Sequence, residues 1–115
     1  MRDPRERLRD SLDAIACIER HTSRGRDTFD KEELVQVWVV HHLQIIGEAT
    51  SRLGLDFHAA HPEVPWAKVV AMRNVLVHDY FGVDLNEVWN VVSHNLKGIQ
   101  GPVERLLADL ERQRG

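Results

Sequence analysis

Apolar residues recur along most of this chain at helical spacing. Leu8, Leu12, Ile15 and Cys17–Ile18 form a first stripe, the three-to-four-residue recurrence that marks one buried helix face. Asp3-Pro4-Arg5-Glu6 precedes it, with a capping aspartate, proline at the first helical position and glutamate at the third. Gly25 closes this segment. A second helix is predicted to start after Thr28 or Asp30, where Asp30-Lys31-Glu32-Glu33 resembles a capping box, and to run to about Leu53 with Gly54 as its stop. Its Val35–Val40 run is rich in β-branched residues and also suits a strand. No turn signal interrupts the segment for about twenty residues, and that length favours helix. The stretch from Gly54 to Pro65, with Pro62, Pro65, His58 and His61, reads as a loop. Pro65 then opens a third helix with apolar positions Trp66, Val69, Val70, Met72 and Leu76, and Gly82 suits its C-terminal cap. Asp84-Leu85-Asn86-Glu87 starts another, carrying Leu85, Val88, Val92, Leu96 and Ile99, flanked by Trp89. Gly98, Gly101 and Pro102 predict a kink or break, after which Val103, Leu106, Leu107 and Leu110 continue on a last helical segment. The pattern therefore predicts an all-α, up-and-down four-helix bundle with a fifth segment after Pro102, as one domain over residues 1–115.

The second helix is anomalous. Leu34, Val35, Val37, Trp38, Val39, Val40, Leu43, Ile45, Ile46 and Ala49 occupy nearly every side of it. A helix apolar all round needs burial on two sides. One side can be the intramolecular core, and the other suggests a partner chain. Gly47 lies inside this helix, where glycine costs roughly 1 kcal/mol relative to alanine, so a close backbone approach is expected there. Glu48, set among apolar neighbours, is either partly buried and paired, with Arg73 the natural partner, or a solvated glutamate.

Composition narrows the function. With 43% hydrophobic residues in 115, a core is feasible without disulfides or metal. The single cysteine, Cys17, excludes an intramolecular disulfide and a multi-cysteine zinc site, and its apolar setting predicts a buried, inert thiol. No apolar run approaches the ~18 residues of a membrane span, and the N-terminus is charged, so a cytoplasmic protein with no membrane association is expected. A net charge of −3 argues against a general nucleic-acid coat, yet leaves room for an enzyme that grips a few phosphates. Arg20, His21, Arg24 and Arg26 cluster where the first helix ends. They suit either the helix dipole or a phosphate-binding surface. His41, His42, His58 and His61 do not make a metal site: adjacent helical residues point about 100° apart, and no further ligands complete a set. No metal and no cofactor are expected.

The richest stretch is Arg73-Asn74-Val75-Leu76-Val77-His78-Asp79-Tyr80, which holds the chain's only tyrosine. Five residues advance a helix by about 140°, so Arg73 and His78 do not share a face of a regular helix, whereas Asn74 and His78 do. If Arg73 and His78 serve one site, either the helix unwinds near His78 or a second copy of the motif faces the first. Arg-x-x-x-x-His-x-Tyr resembles the signature of the HEPN superfamily, and more closely its HepT-like branch, the toxins of MntA–HepT-type toxin–antitoxin pairs. Ile45-Ile46-Gly47-Glu48-Ala49, Pro65-Trp66, Met72-Arg73-Asn74, Phe81-Gly82-Val83-Asp84 and Val88-Trp89 agree in the same order, over roughly residues 30 to 100. The resemblance implies a HEPN-like homodimer acting as a metal-independent endoribonuclease, with Arg73 and His78 at the dimer cleft and RNA as substrate. It also implies an MntA-like nucleotidyltransferase antitoxin that transfers AMP to Tyr80.

The residue chemistry fits cleavage. The unperturbed pKa of a histidine side chain lies near neutrality, so His78 suits a general base or acid. Arg73 offers a fixed, charged fork for phosphate. Tyr80 can donate a hydrogen bond or stack on a base, and Asn74, Asp79 and Glu48 are candidate supporting residues. The same residues also admit structural roles: Arg73 pairing Glu48, His78 capping a helix end, Tyr80 packing with its hydroxyl on nearby backbone. A third reading is a non-catalytic accessory domain that scaffolds a nucleotidyltransferase; it would need no intact Arg/His pair, and both residues are present.

Overall fold

The computed structural model describes residues 3–70 and 84–114. It is all-α, with no strand among the described residues.

Helix α1 (Pro4–Thr22) starts as its sequence dictates: the Asp3 carboxylate accepts the Arg5 backbone N–H at 2.9 Å, with Pro4 inside the first turn. The Arg5 guanidinium reaches back to both Asp3 oxygens, at 3.0 and 2.5 Å. These hydrogen bonds hold the Asp3 carboxyl below its ordinary value of 3.8 and push the Arg5 guanidinium up. Leu8, Ala14, Ile15 and Ile18 are buried, and Cys17 is half-buried rather than enclosed. Gly25, at φ 97°, makes the turn out of α1, a conformation that costs glycine little.

A short helix α2 (Arg26–Lys31) follows where only a turn and a cap are expected. Asp30 lies inside it, so the predicted capping box is not formed. The N-cap of α3 (Glu33–Ser51) is Glu32, with no side-chain cap bond. Instead the Gln36 amide donates to the carbonyls of Phe29 (2.9 Å) and Asp30 (3.1 Å), satisfying oxygens that the end of α2 leaves open. What holds α2 in place is Phe29, fully buried against Trp89 at 5.3 Å between ring centroids. Arg24 pairs with Glu32 at 3.2 Å, and Arg26 pairs with Asp30 at 3.3 Å and bonds Asn86. Two of the four clustered basic residues are thus engaged in cross-links around α2, while Arg20 and His21 occupy the last turn of α1.

Helix α3 buries Val35, Val39, Leu43, Ile46 and Ala49. It is helix throughout, and Gly54 (φ 89°) follows its end. The stretch predicted as a loop contains another short helix, α4 (Leu55–Ala60), none of whose residues is fully buried. It is tied down by His58, whose Nε2–H donates to the Thr50 carbonyl at 2.8 Å and whose ring stacks on Trp66 at 4.3 Å and 13°. Residues 66–70 are helical, with Trp66 and Val69 in the core.

Asp84 caps α5 (Leu85–Asn90) by accepting the Asn86 N–H at 2.9 Å. A π-turn (Val91–Asn95) leads directly into α6 (Leu96–Arg114). The departure from regular helix therefore falls at Val91–Asn95 and not at Gly98–Pro102; α6 runs through Pro102 without interruption. The predicted stripe holds, with Val88, Val92, Leu96, Ile99, Val103 and Leu106 buried. Helix α1 packs along α3 on one side and α6 on the other, and each fully buried Leu or Ile between them contributes ~1.5–3 kcal/mol. Among the described residues no helix is long and apolar enough to cross a membrane.

Candidate functional site

The sequence places its site on Arg73, Asn74, His78, Asp79 and Tyr80; all five lie outside the described residues, as does the expected Glu48–Arg73 pairing. The chain leading into the motif is anchored by Val64, Trp66 and Val69 in the core and by the Trp66 indole N–H on the His61 carbonyl at 2.8 Å. The chain leaving it enters the Asp84 cap of α5. Both flanks are thus built from the signals that the sequence displays.

Glu48, the described member of the candidate set, is exposed on α3, with one carboxylate oxygen 3.5 Å from Arg52 Nε. It ends a row on the outward face of that helix. Leu34, Val37, His41, Gln44 and Glu48 succeed one another at three- or four-residue steps, and all are exposed. The row changes character along its length. Its first half borders a groove of about 510 Å³ lined by Val37, Val40 and Leu85 together with polar Gln36 and Gln44. Its second half borders a groove of about 390 Å³ lined by Arg7, Asp10, Glu48 and Arg52. His41 and Gln44 belong to both. Exposed Leu34 (84%) and Val37 (60%) are large apolar groups left in water, the unsatisfied side that the all-round apolar pattern predicts.

A third groove, about 230 Å³, lies where residue 70 leads to the motif; Gly47, Thr50, His58, Trp66 and Val70 line it. Gly47 is buried there. No sequence signal joins His58 to Trp66, because their contact depends on how α4 folds back on α3. His42 is also a structural histidine: it is buried, and its Nδ1–H donates to the Trp38 carbonyl at 2.7 Å. His61 Nδ1 lies 3.5 Å from Glu63. No group of three or more His, Cys, Asp or Glu side chains among the described residues could hold a metal ion.

Comparison with known proteins adds the family. The sequence profile described as Ribonuclease HepT-like matches residues 11–106. A protein of Thermococcus cleftensis, named probable ribonuclease HepT, is 36% identical over 106 residues, covering 91% of this chain and 96% of that protein. A candidate RNase of Caldanaerobacter subterraneus subsp. tengcongensis is 32% identical over 108 residues, covering 93% and 96%. A candidate RNase of Methanocaldococcus jannaschii is 37% identical over 76 residues, covering 66% and 70%. No solved structure matches the chain significantly. With the profile spanning most of its length and its helices all-α, the chain belongs to the ribonuclease HepT-like family.

Proposed function

We propose that this protein is a metal-independent endoribonuclease and the toxin of a toxin–antitoxin pair, with Arg73 and His78 of two facing copies forming its site. The observation that carries this is the ordered Arg73-x4-His78-x-Tyr80 motif in a chain that belongs to the ribonuclease HepT-like family. Transesterification of RNA needs a base to take the 2′-OH proton, an acid to protonate the 5′-oxygen as it leaves, and a cation beside the phosphorus oxygens. One His78 serves as base, the partner's His78 as acid, and Arg73 supplies the fixed charge. The exposed apolar half of α3 supports the assembly, since a second chain laid on it would bury Leu34 and Val37. His78→Ala is expected to lower cleavage by about 10²–10⁴-fold, the usual contribution of a general acid or base, with helix content unchanged. Cleavage by nuclease-free preparations that survives both His78→Ala and Arg73→Ala would sink the assignment.

Tyr80 is the acceptor for AMP from a nucleotidyltransferase antitoxin in this reading. A phosphodiester on Tyr80 sets a fixed negative charge close to Arg73 in sequence. It would occupy the phosphate position as a tethered competitor, at an effective concentration of roughly millimolar, and repel RNA. Intact-mass and peptide mass spectrometry after co-expression with the nucleotidyltransferase should find one AMP-sized adduct, on Tyr80. A Tyr80→Phe toxin neutralised as readily as the wild type would refute it.

A further inference from the structure

The grooves of this molecule differ in whether their polar groups are still open. Beside the motif's leading edge, His58 and Trp66 already donate to the Thr50 and His61 carbonyls, and Thr50 donates to Ile46. The groove between the C-terminal end of α1 and the α5–α6 helix is different. It encloses about 320 Å³ and is lined by Glu19, Thr22, Ser23, Trp89, Ser93 and Lys97. That is at the lower end of the ~300–1,000 Å³ of small-molecule clefts. Neither the Glu19 carboxylate nor the Lys97 ammonium has an ion-pair partner among the described residues. The Trp89 N–H also bonds to none of them. No buried side-chain polar atom in the described residues lacks a partner, so this N–H meets solvent. The three hydroxyls each donate to their own helix: Thr22 to Ile18 (2.9 Å), Ser23 to Arg20 (3.3 Å) and Ser93 to Trp89 (2.6 Å). Their oxygens retain lone pairs that can accept.

The π-turn assembles one wall. In a regular helix Trp89 and Lys97 stand about 80° apart. One i→i+5 turn takes up an extra residue, about 100° of helical phase, and brings them within roughly 20° of a single line. Trp89, Ser93 and Lys97 thereby form a row facing Glu19 of α1. The indole is also pre-set, since Phe29 packs against it from the core. Such interruptions of a helix are frequent at functional sites; here the extra residue also keeps Val88, Val92 and Leu96, set at four-residue steps, together on the buried face.

We propose that this groove is a guanine-nucleotide subsite, through which the protein holds a guanosine of its RNA substrate with residues other than those of the Arg73/His78 motif. The proposal rests on the ribonuclease reading above. Lys97 takes the phosphate and Trp89 the base, by stacking or through its N–H. Glu19 selects the base. A carboxylate accepts two parallel N–H bonds, and guanine alone presents two adjacent donors, N1–H and the 2-amino group, on its pairing edge. Adenine and cytosine set a ring-nitrogen acceptor beside their amino group, and uracil flanks its one N–H with two carbonyls. Each of these would turn a lone pair toward the carboxylate.

The test uses the full chain carrying His78→Ala, so that nothing is cleaved, with GMP, AMP, CMP and UMP as probes. NMR reads the indole N–H resonance missing from Trp89→Phe. GMP is expected to shift that resonance and to bind about fivefold or more tightly than the other three, the least that a good bidentate contact gives. Glu19→Gln should erase this preference, and Lys97→Gln should weaken all four nucleotides together; both positions are exposed, and circular dichroism checks the fold. An unmoved Trp89 resonance at millimolar GMP, equal binding of the four nucleotides, or a guanine preference that survives Glu19→Gln each overturns the subsite. Cleavage by the wild type without GMP binding would overturn the subsite alone. GMP binding without wild-type cleavage would overturn the ribonuclease reading alone.

Discussion

Asp3 shows how much one residue can fix. Its backbone carbonyl and carboxylate together engage the start of α1, and the Arg5 guanidinium closes over the carboxylate. The hydrogen bonds from Arg5 lower the Asp3 pKa in the fold. A carboxyl with a lowered folded pKa stabilises above its unfolded value, and that contribution disappears as pH falls through the folded value. Asp3→Ala should therefore lower the thermal midpoint at neutral pH, and the gap from wild type should close on acidification below about pH 4. Melts followed by circular dichroism from pH 7 to pH 3 check this; a constant gap would show that the cap acts without its charge. At this scale the sequence was readable at Asp3 and Asp84, where the cap depends on local chain geometry, and not at Asp30, which lies inside α2. At Glu48 the described ion pair is with Arg52 one turn on, and the expected pairing with Arg73 lies outside the described residues. The histidines were equally opaque, because whether a ring is buried as His42 is, or stacked as His58 is, depends on which helix comes to lie beside it.

Among the elements, α3 was legible in kind and in its surplus of apolar surface. Its inner face is in the core, and Leu34 and Val37 remain outside. If a second copy covers this face, Val37→Asp places an unpaired charge near its centre. Removing one central anchor costs about 2 kcal/mol or more, roughly a 30-fold weaker dimer. Sedimentation should show the wild type as a dimer at micromolar concentration and Val37→Asp shifted toward monomer. A monomeric wild type would remove both the interface and the two-chain site. The elements missed were α2 and α4. Each is six residues long, too short for a stripe to declare itself. Isolated helices of that length are not stable in water. They persist because Phe29 enters the core against Trp89, sixty positions on, and because His58 and Trp66 stack; both contacts reach outside the short helix itself.

Across the whole molecule, the sequence by itself determined the all-α class, the starts of α1 and α5 and the core positions that lie on the long helical stripes; it did not mark Phe29 or Val64, and Val70 of its stripe is exposed. All of these follow from helical periodicity and from capping between near neighbours, interactions that the chain carries at every stage of folding. Its family was also legible, from residues 45–49 on α3 and from the motif with its flanks. Only the tertiary structure decided where the last helix departs from regularity. Pro102 removes one backbone donor but sits in an otherwise continuous α6, whereas Val91–Asn95 widens to a π-turn. Local propensity assigns the cost to the proline, while the phase of the long helix is set by the side chains on its inner face, Val88 through Leu106. The same holds for the open groove at Trp89: Glu19 and Lys97 are 78 positions apart, and no periodicity links residues that meet only when α1 packs beside the C-terminal helix.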